Sequence, residues 1–198
     1  EEPEPQTLPP MLKSIVRQSE PDLSADDTPP DGTSPLLWRI YRARGIAAET
    51  ELERELASMI PPDRMGGLEE AVAVLFDAIR DDRRILIVGD FDADGATSCA
   101  LAVLVLRAFG HRQVQFLVPN RFEFGYGLTP EIVEHARDLN PELIVTVDNG
   151  ISSVSGVAAA NKLGWQVVVT DHHLAGPVLP QAEALVNPNL PDNDFPSK

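Results

Sequence analysis

The chain has little cysteine, few aromatic residues and no long apolar run. It contains one cysteine, two tryptophans and two tyrosines among 198 residues. A single thiol, Cys99, cannot form an internal disulfide, so we interpret it as a small core residue of a protein in a reducing compartment, the cytoplasm. The longest apolar run, ALAVLVL at 100–106, is too short to cross a bilayer. We therefore expect a globular protein without a membrane partner.

Basic residues are also scarce. The chain carries 16 Lys and Arg against 31 Asp and Glu, which gives a net charge of −15. This balance argues against a protein that grips nucleic acid by bulk positive charge. If the substrate is a polyanion, bound divalent cations and basic residues outside this chain must supply much of the attraction.

Part of the acidity is local. The first 31 residues contain eight acidic and two basic side chains together with seven prolines, a composition typical of disorder. We predict an acidic, proline-rich, disordered tail over 1–33, a helical segment over 34–82 and an α/β domain over 83–198.

The helical segment has recognisable ends. In SPLLWRIYRARG, Ser34 is a capping residue, Pro35 occupies the first helical position and Gly45 marks the end. A second short helix is predicted over about 48–57. A longer helix follows, with one apolar face made of Leu68, Val72, Leu75 and Ile79.

From residue 84 the pattern alternates between strands and helices. Strands are predicted over 84–89, 113–118, 142–147 and 166–170, helices over 95–108, 130–139 and 153–163, and a short apolar segment over 184–186. The strands are continuously apolar (ILIV, LIVTV, QVVVT), as expected when both faces of a parallel sheet are covered. The pattern predicts an α/β fold, an open doubly wound parallel sheet of about five strands flanked by helices.

Three carboxylates follow the first predicted strand. Asp90, Asp92 and Asp94 alternate in ILIVGDFDADGATS, and alternate side chains of an extended segment share a face. Three negative charges so close together favour a bound cation. Oxygen ligands favour Mg²⁺ or Mn²⁺ over Zn²⁺. A solvated turn is the simpler alternative. A calcium loop is disfavoured because Leu101 stands where that motif needs a bidentate glutamate.

Two further strands end in polar residues. Asp148, Asn149 and Gly150 follow the third strand, and Asp171 begins a DHH sequence after the fourth. The carboxyl ends of parallel strands lie on one edge of a sheet, so these residues can meet the first cluster. Asp148 is the candidate for a carboxylate that bridges two cations. In extended backbone His172 and His173 would diverge, one toward metal and one toward substrate.

A loop after the second strand combines aromatic residues with an arginine. In PNRFEFGYGLTP, Arg121 and Tyr126 lie among Phe122, Phe124 and two glycines. One reading is a surface loop whose aromatics enter a minor core. The other is a nucleic-acid contact, since aromatic faces stack on bases and a guanidinium binds phosphate oxygens.

The segments VGDFDADGATS, VTVDNGISS and VTDHHLAGPVLPQAEALVNPN, in this order and spacing, resemble the DHH phosphoesterase superfamily. Within it the chain is similar to the bacterial exonucleases specific for single-stranded DNA. The resemblance implies a two-metal enzyme, with Mn or Mg, that releases mononucleotides from the 5′ end of single-stranded DNA in repair and recombination. It also suggests a single-strand-binding protein and a helicase as partners.

The resemblance implies a role for each candidate residue. The metal ligands would be Asp92, Asp94, Asp148 and His172. The catalytic group would be Asp90, Asp171 and His173, with His173 facing the scissile phosphate. Arg121 and Tyr126 would contact the 5′-terminal phosphate or sugar.

Members of the family carry another metal-binding aspartate beyond the third motif, and then further domains. The chain would therefore be an N-terminal fragment of the catalytic core with little activity alone. Two alternatives stay open: a DHH phosphatase or phosphodiesterase acting on pyrophosphate, polyphosphate or short dinucleotides, and a non-catalytic binding domain. Intact Asp92, Asp94, Asp148 and His172 argue against the second.

Overall fold

A computed structural model describes residues 28–53, 55–191, 193 and 195–196. The chain divides into two compact units, Glu1–Met59 and Ile60–Lys198. Most of the predicted tail, residues 1–27, lies outside the described residues.

The first unit contains helix α1, Pro35–Ala43. The Ser34 hydroxyl accepts a hydrogen bond from the backbone N–H of Leu37 at 3.2 Å, and Gly45 follows the helix with φ +86°. The predicted start and end of this helix are confirmed. The predicted short helix over 48–57 is wrong, because the described residues form separate 3₁₀ turns at Glu49–Leu52 and Leu56–Ser58.

The second unit is built on a five-stranded, all-parallel sheet. Its strands are β1 (Ile85–Gly89), β2 (Val114–Leu117), β3 (Leu143–Val147), β4 (Gln166–Thr170) and β5 (Ala184–Val186). They lie in the order β2-β1-β3-β4-β5, so the strand order reverses between β1 and β3. The predicted doubly wound parallel sheet is confirmed.

Helices cover both faces of the sheet. They are α2 (Leu68–Arg80), α3 (Ala93–Ala108), the one-turn α4 (Arg121–Phe124), α5 (Pro130–His135) and α6 (Val154–Lys162). Ile85 and Ile87 of β1 pack with α2 and α3, whereas Leu86 and Val88 pack with α5 and α6. This alternation explains why β1 and β3 are buried along their whole length.

The apolar face of α2 agrees only in part with the prediction. Ala71 and Ala78 are its buried residues, and Val74, Leu75 and Ile79 pack around them, whereas Val72 is 55% exposed. The small alanines allow the helix to lie close to the sheet, which turns Val72 outward. No helix among the described residues is long and apolar enough to span a bilayer.

Candidate metal centre

Three neighbouring strands end at the same level of the sheet. Gly89 of β1 is in register with Val147 of β3, and Val147 is in register with Thr170 of β4. The next residue of each strand is an aspartate: Asp90, Asp148 and Asp171. The strand order reverses between β1 and β3, and open parallel sheets bind ligands beside such a reversal.

The turn from β1 into α3 positions the first two carboxylates. Asp90 is 8% exposed, and its Oδ1 accepts a hydrogen bond from the N–H of Phe91 at 2.7 Å. Asp92 caps α3, its Oδ1 accepting from the N–H of Gly95 at 3.2 Å. A side chain at Gly95 would overlap the backbone of Asp90, so this tight approach requires glycine.

The expectation that Asp90, Asp92 and Asp94 share one face of an extended segment is wrong. Because Asp92 is the capping residue, the chain is already helical at Ala93, and Asp94 lies in the first turn of α3. Asp94 instead lines an open pocket of about 460 Å³ together with Asp148 and His172.

Asp148 lies at the centre of the cluster in an unfavourable conformation. Its backbone is left-handed, with φ +61°, and its side chain is only 6% exposed. The carboxylate Oδ1 is 2.9 Å from Nε2 of His172. Burial raises the pKa of Asp148 above its ordinary value and the negative charge of Asp92 adds to this, while the hydrogen bond with His172 opposes it.

Asp171 holds the turn that carries both histidines. Its Oδ1 accepts hydrogen bonds from the backbone N–H groups of His172 (2.7 Å) and His173 (3.1 Å), and it lies 2.7 Å from Nδ1 of His173. Its Oδ2 accepts from the N–H of Ile151 at 2.9 Å. The hydrogen bond with Asp171 is the main cause that raises the pKa of His173. These contacts suit a residue that orients ligands rather than one that binds metal itself.

The two histidine rings do not diverge as expected for extended backbone. Their centroids are 4.7 Å apart, because the chain leaves the strand conformation after Thr170. His172 turns toward Asp148, whereas His173 lies against Asp171 and Tyr126.

Ligand atoms converge in two groups that share Asp148. Asp90, Asp92 and Asp148 form one group, and Asp148, His172 and His173 form the other; within each, one ligand atom per residue lies within 4.8 Å of the others. An oxygen-rich set with imidazole nitrogen suits Mn²⁺ or Mg²⁺. The concentration of buried negative charge around Asp148 also fits cation binding.

The aromatic loop divides into two environments. The Tyr126 hydroxyl lies 3.0 Å from Nδ1 of His173 and donates to the carbonyl of Asp148 at 3.3 Å. Phe122 is 89% exposed with its ring 6.3 Å from that of Phe91, whereas Phe124 packs against the core. The side chain of Arg121, a predicted phosphate contact, lies outside the described part of the structure.

Three asparagines support the site, and their roles were not predicted. The buried side-chain amide of Asn149 donates to the carbonyls of Val88 (3.0 Å) and Val147 (2.9 Å), which fastens the end of β1 to that of β3. Asn187 and Asn189, after β5, donate to the carbonyls of His173 and His172. The sequence signal for Asn187 and Asn189 was the VNPN segment, in which two asparagines follow an apolar strand.

Comparison with known proteins gives consistent matches. Residues 84–197 match the family model described as the N-terminal domain of the DHH family. The chain is 54% identical to the single-stranded-DNA-specific exonuclease RecJ of Salmonella typhimurium, over 92% of this chain and 31% of that protein. With RecJ of Dickeya dadantii the identity is 56%, over 93% and 32%. The chain thus spans about a third of the length of these curated relatives.

Two solved structures agree with the sheet and its helices. A crystal structure of exonuclease RecJ bound to manganese superposes with a TM-score of 0.61 at 38% identity, covering 69% of this chain and 34% of that one. RecJ of Thermus thermophilus in complex with Mn²⁺ gives a TM-score of 0.59 at 33% identity, covering 78% and 22%.

Proposed function

The chain belongs to the DHH family, as its motifs predicted, and from this premise we propose that it forms the metal-binding part of a 5′→3′ exonuclease. The enzyme would degrade single-stranded DNA to mononucleotides in repair and recombination. One observation carries the proposal: five side chains with ligand atoms converge where three neighbouring strands end. Identity of 54–56% to RecJ proteins that are named as single-stranded-DNA-specific exonucleases supports it.

Two divalent cations, Mn²⁺ or Mg²⁺, would bind around Asp148. Asp90 and Asp92 would complete one site and His172 the other, and Asp94 is available from the wall of the same pocket. Such cations polarise a phosphodiester, lower the pKa of water and stabilise charge on the leaving oxygen. The relatives whose structures contain manganese favour Mn²⁺.

The remaining residues would position the substrate and move a proton. If His173 donates its Nδ1 proton to Asp171, its Nε2 is the atom that can exchange a proton with a phosphate oxygen. The Tyr126 hydroxyl touches the same ring, so a 5′-terminal nucleotide bound by Tyr126 would lie beside His173. Arg121, on α4, would bind the terminal phosphate.

The substrate and the compartment follow from the same proposal. We place the protein in the cytoplasm, where a buried free thiol such as Cys99 is stable. A single-strand-binding protein and a helicase would present the DNA end. This acidic chain would rely on cations and on basic surfaces elsewhere in a longer protein to hold that strand.

A chimera provides the test, in which this chain replaces the matched third of Dickeya dadantii RecJ. With Mn²⁺ and a labelled single strand, we expect release of mononucleotides from the 5′ end, and loss of that activity in Asp148→Asn. Asp138→Asn is the matched control, because Asp138 is exposed in the turn that precedes β3, at the opposite edge of the sheet. The 198-residue chain alone is expected to have little activity.

Other substrates decide between the proposal and its alternative. Hydrolysis of pyrophosphate or a dinucleotide without degradation of the strand would support the small-substrate phosphatase. Activity that survives Asp148→Asn would contradict a metal site centred on Asp148.

A further inference from the structure

Helix α3 is apolar around its whole circumference. It carries no charged residue between Ala96 and Leu106. Cys99, Val103 and Leu106 point into the core, yet Leu101 and Leu104 on the outer side are 63% and 64% exposed. A helix with apolar residues on every side is normally buried on every side.

Apolar depressions flank α3 on both sides. One, of about 440 Å³ between α2 and α3, is lined by Val72, Phe76 and Phe109, among others. The other, of about 380 Å³ between α3 and β2, includes Leu104 and Phe116. Six residues, each more than half exposed, define what we call the α3 surface: Val72, Phe76, Leu101, Leu104, Phe109 and Phe116.

The helices on the opposite face of the sheet, α5 and α6, have a different outer surface. The outward residues of α5 include Glu131 and Glu134, and those of α6 include Ser155 and Lys162. The outer side of α5 and α6 thus carries charged and polar side chains, with Val154 as an exposed large apolar residue at 36%, whereas the outer side of α3 presents large apolar side chains that are more than half exposed. An exposed apolar patch of this kind marks an interaction surface.

We propose that the α3 surface is an interface for the part of a longer polypeptide that the relatives have and this chain does not match. The chain spans only 31–32% of the RecJ proteins from Salmonella typhimurium and Dickeya dadantii. The occupant would present an apolar helix or sheet face, because the α3 surface is itself apolar. A second copy of this chain is disfavoured, since each copy carries a net charge of −15.

Thiol labelling tests the proposal without any need for nuclease activity, so it is independent of the proposed function. Leu104→Cys is placed on the α3 surface, and Ser155→Cys on α6 is the control of nearly unchanged size; the native thiol, Cys99, is buried. Each variant is made in the 198-residue chain and in the chimera with Dickeya dadantii RecJ. Circular dichroism checks that each is folded.

Both cysteines are expected to react rapidly with a maleimide in the 198-residue chain. In the chimera, Leu104→Cys should react more than about tenfold more slowly, as for a group that needs local opening, while Ser155→Cys is unchanged. Equal reactivity of Leu104→Cys in both proteins would overturn the proposal. Protection in the 198-residue chain that increases with protein concentration would assign the surface to a second copy instead.

A chimera that does not fold leads to a second measurement. The cysteine is then placed in Dickeya dadantii RecJ at the position aligned with Leu104, and labelling of the native protein decides. Protection there supports the interface, and rapid labelling there refutes it.

Discussion

Replacing Asp148 with asparagine is expected to stabilise the metal-free protein near neutral pH and to abolish its stabilisation by Mn²⁺. Burial and the charge of Asp92 raise the pKa of Asp148. Protonated Asp148 therefore contributes stability that is fully present below the ordinary pKa of aspartate, about 4. This contribution is lost as the pH rises through the raised pKa of Asp148 in the folded protein. Asparagine removes this penalty, so its advantage over the wild type should disappear near pH 4.

Alanine at the same position separates charge from conformation. Asparagine tolerates the left-handed backbone that Asp148 adopts, with φ +61°, whereas alanine costs about 1–2 kcal/mol there. Alanine also loses the hydrogen bond with His172, worth roughly 1 kcal/mol. In metal-free buffer Asp148→Ala should unfold roughly 5–10 °C below Asp148→Asn.

Thermal unfolding with and without Mn²⁺ is the assay. A cation at about one hundred times its Kd stabilises the folded state by about 2.7 kcal/mol, which is roughly 5–10 °C for a chain of this length. The shift should occur in the wild type and in Asp138→Asn but not in Asp148→Asn, because Asp148 belongs to both ligand groups. A full Mn²⁺ shift in Asp148→Asn would refute the assignment of Asp148 as the shared ligand.

Two further predictions concern His173 and a close contact under α6. Asp171→Asn should lower the pKa of His173, measured by NMR titration of the metal-free protein, because the hydrogen bond to Asp171 is the main cause that raises this pKa. Protonated His173 contributes stability that is present below the ordinary pKa of histidine and is lost as the pH rises through the raised pKa. The variant should therefore lose most stability at acid pH. An unchanged pKa would contradict the hydrogen bond. Gly156→Ala should lower the free energy of unfolding in denaturant by more than about 2 kcal/mol, because the added Cβ would overlap the carbonyl oxygen of Leu128. Gly176→Ala is the control, since a Cβ at Gly176 would have no neighbouring atom within 4 Å. Equal denaturation midpoints for the two variants would contradict this prediction and would show that the backbone at Leu128 moves to accommodate the added methyl group.

The sheet was predictable because its signals are local and repeated. Four apolar runs alternate with helical patterns, and residues such as Pro130 and Gly164 mark the helix ends. One-turn elements were not predictable, since a helix as short as α4 has no stability of its own and depends on tertiary contacts. For α2, the larger side chains identified part of the buried face, Leu75 and Ile79, but not Ala71 and Ala78, which pack closest to the sheet.

The sequence identified the five side chains that converge in the candidate site, but a two-residue error at the start of α3 misplaced Asp94. The strand ends identify Asp90, Asp148 and Asp171 through sheet topology alone. The predicted start of α3 at residue 95, against the observed Ala93, placed Asp94 in extended backbone when it lies in a helical turn. Errors of this size are ordinary at helix ends, but here they decide whether a carboxylate faces its neighbours. The contacts of Asn149 depend on the spacing of β1 and β3, which no local pattern encodes.

Several unfavourable features coincide at Asp148. The residue combines a left-handed backbone, a nearly buried carboxylate and the like charge of Asp92. Glycine would remove all three costs and asparagine would tolerate the backbone, so stability alone favours either residue at this position. Strain and buried charge persist where surrounding structure supports them for a function. The register of β1, β3 and β4 supplies that support, and the proposed binding of a cation would account for a carboxylate where stability favours a neutral side chain.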